Sequence, residues 1–179
     1  MSSACARILL AGRPGVGKTT VARRVVELLR QRGFDVRGFV TEELRERGGR
    51  VGFAVEPIGG PRTILAHVDL PGPPRIGKYG VDVDAFESVA LPALAGVDTA
   101  DVVMIDELGK MELASAPFRS TVLELLGQPV SIVATVHVAR DPFTTALKRQ
   151  SGVETVTITV SNRDELPAAL AARFSGGGP

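Results

Sequence analysis

The run GRPGVGKT, Gly12 to Thr19, holds the residue types and spacing with the clearest chemistry in the chain. It matches G-x-x-x-x-G-K-[ST], a pattern that cradles phosphate when an apolar strand precedes it and a helix follows. Gly12, Gly15 and Gly17 let the backbone approach phosphate oxygens with no Cβ in the way. Arg13, Pro14 and Val16 complete the loop. Amides from Gly15 to Thr20 would point inward as donors, and the first turn of the helix would add partial positive charge. Lys18 would reach the β and γ phosphates as a mobile cation, Thr19 would offer its hydroxyl to Mg²⁺, and Thr20 would touch the α-phosphate. Arg13 reads equally as a phosphate contact and as a solvated side chain.

A phosphate loop of this kind needs an acid to hold the metal through its waters. Asp106 ends the apolar run VVMID, where such an aspartate belongs. Glu107 follows at once. The pleat of a strand aims it differently from Asp106, so it could orient a water beside the γ-phosphate while Asp106 serves the metal. The bland alternative is an acidic pair facing solvent at a strand end. Gly109 permits a bend after the pair, and Lys110 is either a phosphate contact or a solvated lysine. Glu112 reads as a structural anchor before a catalyst. Thr135 and His137, at and just past the end of VSIVATV, stand where a polar residue could sense the γ-phosphate, with capping or packing as the simpler role. His67 falls within a strand pattern and reads as structural.

The surrounding elements must hold these residues together. ARILLAG (6–12) reads as a buried strand, followed from Lys18 by a helix with Val21, Val25 and Leu28/Leu29 on one face and Gly33 just past its end. VRGFVTEEL and RVGFAVEPI, separated by Glu46-Arg47-Gly48-Gly49, read as a β-hairpin around a Gly-Gly turn. TILAHV from Thr63 is a third extended run, and the Pro/Gly-rich 70–80 stretch reads as a loop with room for a short strand. A helix is expected over 84–94, capped by Asp82 or Asp84. DVVMIDE and VSIVATV are continuous apolar runs, the mark of strands covered on both faces. Helices are expected over 118–126 and 142–150, an edge or late strand at VETVTITV, and a last helix over 164–174. Alternating strands and helices of this kind predict an α/β fold in three layers, with a mostly parallel sheet and the early hairpin as an antiparallel addition. The pattern predicts one domain over residues 1–174 and a flexible tail, SGGGP, over 175–179.

Composition narrows the function. The 179 residues are 44% hydrophobic and 23% charged, which fits a soluble globular domain with a sizeable core. Lys plus Arg number 21 against 20 for Asp plus Glu, so a net charge of +1 offers no basic surface for nucleic acid or an anionic membrane. Aromatic residues are only 4% and Trp is absent, which argues against a base-stacking platform for RNA. No run approaches the roughly 20 apolar residues of a membrane span, and the first apolar run is too short for a signal peptide. One cysteine, Cys5, cannot make an internal disulfide, so a cytoplasmic location is expected.

Five segments then stand in one order at compatible spacing: GRPGVGKTT, GFVTEELRERGGRVGF, RIGKYGVDVDAFE, VVMIDELGKMEL and VSNRDEL. Together they closely resemble the thermophilic nucleoside triphosphate phosphatase family, whose vertebrate members are called cancer-related nucleoside-triphosphatase. The resemblance covers Ala6 to Leu170. It implies a RecA-like P-loop NTPase fold and slow, Mg²⁺-dependent hydrolysis of NTP, with ATP and GTP both accepted. It implies that Lys18 and Thr19 contact phosphate and Mg²⁺, that Asp106 is the metal acid and that Glu107 is the base. It also brings Thr41, Glu42 and Glu43 near the nucleotide. The segment HVARDPF departs from the pattern, and no role carries over to Arg140.

Rival readings remain at this point. A small-molecule or nucleotide kinase shares the loop and the sheet but needs an acceptor pocket and usually an Arg-rich lid. The basic LRERGGR reads as a hairpin turn instead. A GTPase-like switch would use DLPG (Asp69 to Gly72), but SNRD lacks the N-K-x-D spacing. Asn162 and Arg163 could sit near the base, while Asp164 reads as a cap for the last helix. Arg13, Arg119, Arg140 and Arg149 are candidates for an arginine finger, none singled out by its position. That leaves room for slow turnover and an unidentified activating partner.

Overall fold

A computed structural model describes residues 5–138 and 140–174. The ends of the expected domain and tail, residues 1–4 and 175–179, lie outside the described residues. β1 (Arg7–Gly12) runs into the glycine-rich loop and α1 (Lys18–Gln31). β2 (Val36–Glu46) and β3 (Gly49–Pro57) form the hairpin, and β4 (Thr63–His67) continues it. The Pro/Gly-rich stretch supplies two short strands, β5 (Arg75–Ile76) and β6 (Tyr79–Val81), before α2 (Val83–Ala93). β7 (Val102–Leu108), α3 (Ala116–Leu126), β8 (Ser131–His137), α4 (Pro142–Lys148), β9 (Val153–Thr157) and α5 (Leu166–Ala171) follow.

The strands make one sheet in the order β5-β6-β4-β3-β2-β7-β8-β1-β9. Its central part, β2 through β9, is parallel throughout. The antiparallel part is longer than a single hairpin, because β4, β6 and β5 add to β3 in turn. Period-two alternation divides the apolar side chains between the two faces. Ile8 and Leu10 of β1, with Val102 and Met104 of β7, pack on Val21, Val25 and Leu29 of α1 and Leu170 of α5. Leu9, Val103 and Ile105 point the other way, toward Phe86 of α2 and Phe118 and Val122 of α3. On that face Phe39, Phe86 and Phe118 meet pairwise at 5.0 to 5.7 Å between ring centroids. The result is the three-layer fold, with the parallel strands covered on both sides.

Local signals explain most element ends. Ser115 caps α3 by accepting from the Phe118 amide at 3.0 Å, and Asp82 caps α2 by accepting from Ala85 at 2.9 Å. Gly33, at φ 85°, ends α1. Two expectations need correcting. The hairpin turn is built by Arg47 (φ 46°) and Gly48 (φ 80°), not by the Gly-Gly pair, since a two-residue turn of this hand needs positive φ at both central positions. Asp164 does not cap the last helix. α5 begins only at Leu166, with Pro167 in its first turn and Glu165 at the cap position without a side-chain bond. Residues before it close a separate loop around Asn162. Among the described residues, no helix is long and apolar enough to cross a membrane.

Candidate active site

Parallel strands deliver their last residues to one edge of the sheet, where α/β folds bind ligands. β1 ends there at Gly12, in register with His137 of the neighbouring β8. The loop that follows turns on Gly15 (φ 74°) and Gly17 (φ 105°), conformations that side chains with a Cβ rarely adopt. At Gly12 the constraint is space: a Cβ there would lie 2.7 Å from Val16 Cγ1. Arg13, Pro14, Gly15 and Thr20 are exposed, while Val16, Gly17 and Thr19 are half-buried at the start of α1. The exposed glycine turn leads straight into the first amides of α1, a geometry that can accept an anion.

Lys18 is 8% exposed and folds back over the loop. Its Nζ donates to the carbonyls of Gly12 at 3.3 Å and Arg13 at 3.4 Å, and lies 3.5 Å from Glu107 Oε2. Glu107 therefore faces the phosphate loop directly. Burial raises its pKa above the usual carboxylate value, opposed by Lys18 and assisted by the negative charge of Asp106.

Asp106 is fully buried, and two neighbouring strands hold it. Thr135 of β8 donates its hydroxyl to Oδ1 at 2.5 Å. Thr41 of β2 donates both its amide and its hydroxyl to Oδ2, each at 3.2 Å. The β7–β8 register shifts between Ile105 and Leu108, so Asp106 and Glu107 lie in an irregular stretch where their side chains can part. Among the described residues, no group of three or more His, Cys, Asp or Glu side chains could hold a metal by itself. Thr19 and Asp106 alone are a sparse oxygen set. Such a set could hold a hard divalent cation only if waters and substrate oxygens supplied the remaining ligands.

The second-tier residues divide. Thr41 and Thr135 are both brought to Asp106. His137 stands beside the loop, half-buried, with its pKa lowered by burial and by the nearby charges of Lys18, Lys110 and Lys148. Lys110 is exposed. Glu42 is turned to Arg62 at 2.9 Å on the sheet surface, and Glu43 is held by Arg45 and Arg50, so of the TEE segment only Thr41 turns inward. Asn162 spends its amide within its own loop, donating to the Thr157 carbonyl and accepting from the Thr159 amide, both at 2.9 Å. Arg163 reaches the phosphate loop, donating to the Val16 carbonyl at 3.3 Å. The tie between Glu112 and Glu107, developed below, left no trace in the sequence beyond their five-residue spacing.

A glycine-rich loop between a parallel strand and a helix, facing two adjacent acids at the end of a neighbouring strand, defines a phosphate-binding α/β protein of the P-loop class. The comparisons narrow this. The NTPase family model matches residues 7–171. A nucleoside-triphosphatase THEP1 of Thermotoga petrophila is 40% identical over 161 residues, spanning 89% of this chain and 88% of the relative. The human cancer-related nucleoside-triphosphatase is 38% identical over 173 residues, 89% of this chain and 91% of the relative. The crystal structure of THEP1 from Aquifex aeolicus superposes with a TM-score of 0.86 at 32% identity, covering 95% of this chain and 99% of the other. The chain belongs to the NTPase family.

Proposed function

We propose that this enzyme hydrolyses nucleoside 5′-triphosphates to the diphosphate and phosphate, slowly, with Mg²⁺ and with little preference for the base. The approach of Glu107 to Lys18 at 3.5 Å carries the reading. It puts a carboxylate beside the cation that would hold the terminal phosphate, where an attacking water has to be oriented.

The chain's own groups divide the work. The loop amides from Gly15 to Thr20, with Arg13, Pro14 and Val16 shaping the rim, bind the phosphates. Lys18 moves from Glu107 to the β and γ oxygens as the nucleotide enters, freeing Glu107 to accept a hydrogen bond from water. In-line attack then builds charge on oxygens already faced by fixed donors. Thr19 and Asp106 would hold Mg²⁺, which when bound neutralises charge on the β- and γ-phosphate oxygens. His137, kept neutral, can donate or accept a hydrogen bond at the γ-phosphate side.

Broad base tolerance is supported by the last loop, where the Asn162 amide spends one donor and one acceptor on its own backbone and is oriented by them. Slow turnover is supported by the arginines. Arg119 donates to the Leu113 carbonyl, and Arg13, Arg140 and Arg149 are exposed. A P-loop enzyme without a finger runs about 10³–10⁵ slower than one with it, so an activating partner could supply one. A free Cys5 suits the reducing cytoplasm.

Phosphate release from ATP, GTP, CTP and UTP, with and without Mg²⁺, tests the proposal. Slow release from all four by wild type, and none by Glu107→Ala with binding intact, is the expected result. Tight binding with no release until a small-molecule acceptor is added would make the protein a kinase instead.

A further inference from the structure

Glu112 is only 5% exposed, in the short 3₁₀ turn Glu112–Ala114 after β7. The mechanism above does not use it, and burying an ionised carboxylate is costly unless it is paired or neutralised. Its surroundings are specific. A Cβ built on Gly109 would lie 2.8 Å from Glu112 Oε2 and 3.0 Å from Glu107 Oε1. Carboxyl oxygens of both residues therefore crowd the same side of Gly109, the place a Cβ would fill, with Glu112 buried in the core and Glu107 reaching Lys18. The backbone of Gly109 and Glu112 favours the charged form of the Glu112 carboxyl, against the larger effect of its burial. The Leu113 amide donates to the Gly109 carbonyl at 2.9 Å, closing the segment between the glutamates into one turn. No cation pairs with Glu112 among the described residues, and the charges facing it, Glu107 and Asp106, are negative. Burial first, then these charges, pushes its carboxyl well above the usual range, toward the neutral form.

We propose that Glu112 is the positioning residue for Glu107: its buried carboxyl braces the turn at Gly109 and so keeps Glu107 opposite Lys18. The proposal rests on Glu107 being the water-orienting base. Gly109 is part of the same device, because any Cβ there would press on both carboxyl groups.

The test uses the full chain with Mg²⁺ and ATP, measuring kcat, nucleotide affinity and thermal melting for Glu112→Ala, Glu112→Gln, Gly109→Ala and Glu107→Gln. Glu112→Ala should lower kcat by about 10²-fold, as a misplaced reacting group does, with nucleotide affinity unchanged. Gly109→Ala keeps the Glu112 side chain but presses on both carboxyl groups, creates no cavity, and should show the same split. Glu112→Gln keeps the shape and the neutral form, and should recover most of the loss. Wild-type kcat in Glu112→Ala would overturn the proposal. So would a Glu112→Gln as inactive as Glu107→Gln, which would make Glu112 an ionised participant. Parallel loss of affinity and kcat in folded Gly109→Ala would reduce the turn to a structural element and also overturn it. Normal turnover by Glu107→Gln would instead remove the base assignment beneath it.

Discussion

Thr135 donates its hydroxyl to Asp106 Oδ1 at 2.5 Å from the strand next door, while Thr41 holds the other oxygen from the opposite side. The acid we propose for the metal is thus clamped between β8 and β2, and its orientation is set by the protein's own hydroxyls and amide. Partners of this kind commonly change metal affinity 10–100-fold when removed. Thr135→Val keeps the shape and removes the donor. It should raise the Mg²⁺ concentration needed for half-maximal phosphate release by about 10–100-fold. It should also lower stability by about 1–3 kcal/mol, since a buried carboxylate loses a partner. A Mg²⁺ titration and a urea melt check the two effects, and an unchanged Mg²⁺ dependence would remove Thr135 from the metal site.

Lys18 bridges the loop carbonyls and Glu107. Lys18→Ala should leave the fold intact, because α1 is anchored by Val21, Val25 and Leu29. Nucleotide binding should weaken by about 2–5 kcal/mol, the cost of deleting one member of a desolvated charge pair. Titration with a fluorescent nucleotide measures it.

Glu112 makes a stability prediction separate from its effect on rate. Its folded-state pKa is raised, chiefly by burial, so the folded protein holds a proton that the unfolded chain gives up. The stability linked to that proton is fully present below the ordinary glutamate value and is lost as pH rises toward and through the raised value. Glu112→Gln cannot lose the proton. Its melting temperature should therefore fall less than wild type's between acid and alkaline pH, and exceed it at the alkaline end. Parallel curves would mean that Glu112 titrates normally.

Gly38 lies in β2 at φ 105°, and a Cβ there would come within 2.0 Å of the Met104 carbonyl oxygen. That neighbour is backbone of β7, so it has no rotamer to change. Gly38→Ala should cost about 3 kcal/mol or more and disturb the β2–β7 pairing that aims Thr41 at Asp106. Denaturant unfolding gives the first number, and a higher Mg²⁺ concentration for half-maximal phosphate release would report the second.

Much of this was legible in the chain. The glycine spacing, Lys18 and Thr19 announce a phosphate loop because those residues act through local backbone geometry, which spacing encodes directly. The double-sided apolar runs at β7 and β8 announce a covered parallel sheet, and Asp82 announces the start of α2. Less legible were features whose causes are distant in sequence. Asp164 looks like a helix cap until the loop around Asn162 and the proline at position 167 delay the helix. Thr135 reads in sequence as a phosphate sensor or a packing residue, and only the pairing of β8 with β7 shows that its hydroxyl meets Asp106.

The glycine-rich loop, the layered α/β class and the pair of acids at one strand end could be read from the chain, because each is written in contiguous residues with a fixed period. That Thr41 and Thr135 clamp Asp106, that Glu42 turns away to Arg62, and that Glu107 and Glu112 crowd the space beside Gly109 came from the folded arrangement. Those relationships depend on which strands become neighbours and on how little room a packed core leaves between them. No local spacing carries either.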